Sequence, residues 1–176
     1  MSIEQIAAAI DRVSAALHRK PQAGVHDDSA ATARWGGGLR TQVHSDNGRS
    51  VATDMPAEIG GGDSAMSPGW LWRAGLASCA VTRIAMLAAS EGLRLEVLEA
   101  RVTSRSDTRG MLGIAEADGR LVPAQPLQVE LHVRIGAPGV SAERLRALVA
   151  AGAGCSPVTC VIEQPLPVAL HIDVAA

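Results

Sequence analysis

The stretch from Ser67 to Gly92 is the longest apolar run in the chain, and it constrains the fold more than any other. It reads as one helix with both ends signalled. Ser67 is a favoured N-cap, Pro68 suits the first helical position, and Gly92 suits the left-handed residue just past the last turn. The run is apolar nearly all round and rich in Ala and Gly, so neighbouring elements can approach its backbone closely on every side. It therefore belongs at the centre of the fold. A membrane span requires roughly 20 uninterrupted apolar residues, and Arg73 and Arg83 cut this run into shorter pieces. A core helix is predicted.

Cys79 lies in the middle of the run, about three turns in, too far from the N-terminus for the helix dipole to act on its thiol. Any activation must come from side chains. Arg83 stands four residues on, on the same face, and long helical side chains lean back toward the N-terminus, which brings its guanidinium within reach of the sulfur. The other reading is a small core filler, because free cysteine is among the most buried residue types. Spacing alone leaves both open.

With 176 residues, 47% of them hydrophobic, the chain can fill one core and is short for two. A single domain is expected. The net charge is -2 and the arginines are scattered, which argues against nucleic acid and against a membrane surface as partners. Three cysteines are too few for a disulfide scaffold, and the first residues lack a basic then apolar leader pattern, so a cytoplasmic location is expected.

Ser2 and Gln5 have the spacing of a capping box, and Ile3, Ile6, Ile10, Val13 and Leu17 recur at helical spacing before Pro21 stops the pattern. Residues 1–20 thus form an amphipathic helical extension, whose apolar stripe docks either on the rest of the chain or on a second copy. Residues 20–30 read as a linker. Three short strands follow at 31–35, 39–44 and 49–54, separated by Gly36-Gly37-Gly38 and Asp46-Asn47-Gly48, an antiparallel meander. Neither this glycine triplet nor Gly60-Gly61-Gly62 has the spacing of a phosphate-binding loop, and both read as turns.

Residues 95–106 read as a long strand with a bulge near Val97-Leu98, and 111–117 as a segment that pairs with it. Leu127, Val129, Leu131, Val133 and Ile135 alternate strictly with polar residues, the pattern of a half-buried strand. Residues 141–153 form a second helix. Ser156 then caps a short third one with Pro157 at its first position, which makes Cys155 and Cys160 the usual hydrophobic-staple pair. They are a packed pair, a redox pair or ordinary core. Cys-x4-Cys is not a zinc signature without a second pair, and the histidines stand alone, so no metal and no cofactor is expected. Val168, Leu170, Ile172 and Val174 alternate as a final strand.

From Asp54-Met55-Pro56 through Gly60-Gly61-Gly62-Asp63, Ser67-Pro68 and Gly75 to Cys79, the chain resembles the OsmC/Ohr family of hydroperoxide-reducing thiol proteins. Ser156-Pro157-Val158 stands where that family has a Cys-Pro motif, followed by Pro165-Leu166-Pro167-Val168 and a last strand. The likeness covers residues 31–174 as one domain. It implies an α+β fold in which antiparallel sheets wrap a long buried helix, and an intertwined homodimer with the active sites at the subunit interface. Cys79 would be the peroxidatic thiolate acting on a small apolar hydroperoxide. The family's hairpin arginine best corresponds to Arg40. Its glutamate after the helix-start proline is here Gly69, and its second cysteine is here Ser156, whose hydroxyl cannot form a disulfide. Cys155, Cys160 or an external thiol reductant would then resolve the oxidised Cys79. The alternative function is a binding protein that keeps the fold and holds a small apolar ligand in the interface cleft, with Trp70 and Trp72 lining it.

Overall fold

In the computed structural model, which describes residues 2–164 and 166–175, the capping box at the start of the chain closes in both directions. Gln5 N donates to Ser2 Oγ (3.3 Å) and Ser2 N to Gln5 Oε1 (2.8 Å). The helix that follows, α1 (Ile3–Arg19), lays its apolar stripe along the central helix. None of its residues is fully buried, so it covers a surface rather than filling a core. Met1 of the extension and Pro165 of the C-terminal motif fall outside the described residues.

The meander forms β1 (Ala31–Trp35), β2 (Thr41–Ser45) and β3 (Ser50–Thr53), antiparallel in the order β1-β2-β3. β2 starts at Thr41 rather than Leu39, because the first turn takes up Leu39 and Arg40. Gly36 N donates to Arg40 O (2.9 Å) and Arg40 N to Gly37 O (3.1 Å), which closes the loop and sets Arg40 at its last position. This sheet makes no substantial contact with the central helix or with the second sheet of its own chain. Every residue of β1 is exposed.

The central helix is α2 (Pro68–Ser90), capped by Ser67, whose Oγ accepts from Trp70 N at 3.2 Å, and followed by Gly92 at φ +66°. Leu76, Ala80, Ile84 and Ala88 are buried one turn apart, a single stripe on one side of the helix. By length and composition α2 could cross a membrane, but that stripe is covered by protein and Arg73 Nη1 donates to Ser104 Oγ at 3.2 Å. The core centres on Ile84, Ala88 and Leu148, with Leu98, Val133, Ile135 and Val149 against them. Full burial of one such aliphatic side chain stabilises the fold by about 1.5–3 kcal/mol.

Covering that stripe are β4 (Val97–Arg105) and β5 (Gln128–Gly136), an antiparallel pair. Their register runs one for one from Val97 opposite Gly136 to Arg105 opposite Gln128, so the expected bulge at Val97-Leu98 is absent. The change of period there marks where the strand begins, since Leu93 and Leu95 before it turn into the core. Residues 111–117 do not pair with β4. Asp107 caps a short helix, α3 (Thr108–Met111), by accepting from Arg109 N (2.9 Å), and only a lone bridge between Ala115 and Leu121 follows. Local capping wins over a strand there because the segment alternates too briefly to earn a ladder.

α4 (Ala142–Gly154) crosses α2 at Gly152, where a Cβ would come 2.9 Å from Ile84 Cα. The helix runs through Gly154, and Cys155 is its C-cap. α5 (Pro157–Glu163) follows after Ser156 and packs on α2. Residues 166–175 belong to no ladder, and Val168, Leu170, Ile172 and Val174 are exposed. The final strand predicted from their alternation is therefore present as a pattern without a partner among the described residues. The architecture is α+β with antiparallel sheets, as expected, and one chain covers its central helix from one side.

Candidate active site

α2 presents two unlike faces, and Cys79 stands on the open one. Next to the buried Leu76-Ala80-Ile84 stripe run Cys79 and Arg83, both half-buried, and then Thr82 and Met86, both exposed. Cys79 is a free thiol. Arg83 makes no hydrogen bond to it, and neither does Arg40, so neither candidate guanidinium meets the sulfur within one chain.

Arg40 is instead fixed elsewhere. Its Nη1 donates to Ser64 Oγ at 2.7 Å, and Ser64 Oγ donates in turn to Asp54 Oδ2 at 2.7 Å. Asp54 is 3% exposed and lies just past the end of β3. Its Oδ1 accepts from Met55 N (2.8 Å) and Gly62 N (3.3 Å), and its Oδ2 also accepts from Ser64 N (3.2 Å). The Ser64 hydroxyl and these three amides hold the carboxyl well below its ordinary range, at about 2. The loop from β3 to α2 is thus folded around one buried carboxylate. Gly61 is needed for that fold, since a Cβ there would lie 1.8 Å from Met55 O. The glycine triplet is part of a turn, as its composition implies, and what the turn encloses is Asp54. The signal was Asp54, an acceptor placed just ahead of a glycine-rich segment whose amides are free to converge on it.

This loop and the start of α2 enclose a cleft of about 370 Å³, lined by Asp54, Ser64, Met66, Trp70 and Arg73 among others. Trp70 is 44% exposed. Trp72 is half-buried and does not line the cleft. A Cβ at Gly69 would stand 3.8 Å from Arg73 Nη1 and 3.9 Å from Ser67 Oγ, ordinary contact distances, so there is room for a side chain that this sequence lacks.

At the other candidate position, Ser156 is completely buried, and its hydroxyl is unpartnered among the described residues. It occupies the N-cap site of α5 but makes no side-chain cap. Thr159 Oγ1, in the first turn, is buried and unpartnered as well. Cys155 and Cys160 are free and exposed, with Cys160 Sγ donating to Gly154 O at 3.4 Å. The structure therefore places Ser156 inside the α4–α5 corner and turns the two neighbouring thiols outward.

The model of the family described as OsmC-like protein matches residues 60–171. No curated protein sequence matches the chain. Among solved structures, the chain is similar to an OsmC-like protein from Mycoplasma pneumoniae (TM-score 0.65, 17% identity, 80% of this chain and 91% of that one). It is similar also to an organic hydroperoxide resistance protein OsmC from Legionella pneumophila (0.58, 20%, 80% and 92%). A third is an organic hydroperoxide resistance protein from Elizabethkingia anophelis with thiocyanate bound (0.56, 20%, 80% and 91%). At these identities the likeness establishes the fold.

Proposed function

The chain belongs to the OsmC-like protein family, and from that premise we propose that it is a cysteine-dependent peroxidase of organic hydroperoxides, acting as a homodimer in the cytoplasm. The observation that carries the reading is the position of Cys79: a free, half-buried thiol on the open face of the central helix, inside the matched region. The Cys79 thiolate attacks the terminal oxygen of the hydroperoxide. The O–O bond breaks, the sulfur keeps the hydroxyl as a sulfenic acid, and the departing alkoxide takes up a proton to leave as the alcohol. Two external thiols then complete the cycle. The first displaces water from the sulfenic acid to form a mixed disulfide, and the second releases the Cys79 thiol and carries away a disulfide.

Ser156 supports the external route, because its hydroxyl cannot form the disulfide that a cysteine there would offer. Cys155 and Cys160 face outward in this chain and are the alternative resolving thiols. Arg40 would act on the Cys79 of a second copy. Its anchor Ser64 shares the cleft wall with Ser67 and Arg73, which lie between about 9 and 18 Å before Cys79 along α2 at 1.5 Å per residue. The first sheet makes no substantial contact with its own α2, which leaves its face available to a second copy.

A second reading, a ligand-binding protein without turnover, is favoured by the loss of the cysteine at Ser156 and by Trp70 in the cleft wall. One experiment separates the two. The full-length protein is treated with an organic hydroperoxide and a small dithiol, and hydroperoxide loss is measured alongside mass spectrometry of each cysteine. Consumption that disappears in Cys79→Ser and persists in Ser156→Ala supports the peroxidase. An unoxidised Cys79 in excess hydroperoxide overturns it in favour of binding.

A further inference from the structure

The side chain of Arg40 is held without an ion pair. Among the described residues no carboxylate lies within 4.0 Å of its guanidinium. Its partner is one neutral hydroxyl, and that hydroxyl has a single proton, which it gives to Asp54. With its proton committed, Ser64 Oγ can face Arg40 only as an acceptor. Asp54 is in turn immobilised by three backbone amides and is almost wholly buried.

We propose that Asp54 and Ser64 form a relay that positions Arg40 for its interaction with the Cys79 thiolate. This inference rests on the function proposed above and adds the residues that aim its guanidinium. Held through a neutral hydroxyl, Arg40 keeps its charge uncompensated by a direct ion pair. Through Ser64 the buried carboxylate fixes one arm, Nη1, at the distance of two hydrogen bonds. The other donors of the planar fork are left for an anion. Arg40 also sits at the last position of a closed turn, so its backbone is held as well as its side chain. Arg40 is joined to Ser64 and Asp54 by hydrogen bonds, so the three hold one arrangement where the first sheet meets a second copy.

The test is the rate at which iodoacetamide alkylates Cys79 in the full-length protein, resolved from Cys155 and Cys160 by mass spectrometry and followed across pH. Opposite charge at close range shifts a titration by about 1–3 units, so Arg40→Met slows labelling at neutral pH by about tenfold and moves the profile to higher pH. Ser64→Ala is expected to do the same to a smaller extent, about threefold, while Ser64→Thr restores the wild-type profile. In an Arg40→Met background, Ser64→Ala adds nothing, because Ser64 acts only through Arg40. Asp54→Asn should resemble Ser64→Ala, and where it fails to fold, the exposed Ser64 carries the test alone. If Arg40→Met shifts the profile and Ser64→Ala does not, the relay is wrong and the site stands. The relay also falls if Ser64→Ala slows labelling equally with Arg40 already removed. A profile that ignores Arg40→Met overturns the placement of Arg40 at the thiolate itself.

Discussion

At Asp54, three amides and one hydroxyl converge on a buried carboxylate, and the consequence is a defined acid sensitivity. The folded carboxyl titrates at about 2, against about 3.9 for an unperturbed aspartate. A depressed folded value means that the stabilisation is fully present above about pH 4 and is lost as pH falls toward 2. Other carboxylates, Asp107 and Asp118 among them, are also lowered by their arginine neighbours, so the informative quantity is a difference. Asp54→Asn should lower the melting temperature near neutral pH, and the gap to wild type should narrow between pH 4 and 2. Thermal melts of both proteins over that interval measure it, and a gap that stays constant would show that the carboxylate is not what the loop is folded around.

Among the elements, those whose signals are local were the legible ones. α1, β1, α2, β5 and α4 lie close to where periodicity and capping residues put them, because Ser2, Ser67 and Ser141 each cap a helix through their own hydroxyl. The expected bulge at Val97-Leu98 and the expected pairing of 111–117 are absent for one reason: strand periodicity over so few residues does not tell a ladder from its flanks. Cys79, Arg40 and Ser156 could be nominated from motif order. The Arg40–Ser64–Asp54 network could not, since it joins residues up to 24 apart in sequence through a loop whose fold depends on one acceptor. Gly152 shows the same limit. Inside a helix it looks like a weakness in propensity, yet a Cβ there would come 2.7 Å from Ile84 Cγ1 and 3.2 Å from Ile84 N. The contact is with backbone as well as side chain, so repacking alone cannot relieve it. Gly152→Ala should therefore destabilise by about 1–3 kcal/mol despite the better helix former, and chemical denaturation reads the change directly. A stability gain would mean that α4 and α2 can separate without cost.

For the molecule as a whole, the apolar surface left open has a consistent arrangement. β1 is exposed along its length, with Trp35 at 77%. The open face of α2 carries Met86, and the alternating residues of the C-terminal segment are between 74% and 91% exposed. Single exposed apolar residues are ordinary, but a strand pattern without a ladder, a sheet without a core and a half-covered apolar helix each demand a partner surface. One association satisfies all three. If the first sheet of each copy lies over the open face of the other copy's α2, the sheet gains a core and the helix its second cover. The strand at 168–174 gains an edge to pair with. The same exchange brings Arg40 toward Cys79. The full-length protein should then sediment as a dimer at micromolar concentration. Truncation after Gln164 should weaken the dimer or leave the chain prone to aggregate, since it removes one of the three matching surfaces from each copy. A well-folded monomer at that concentration, with the C-terminal segment intact, would remove both the dimer and the route by which Arg40 reaches the thiol, because within one chain its guanidinium bonds Ser64 and makes no hydrogen bond to Cys79.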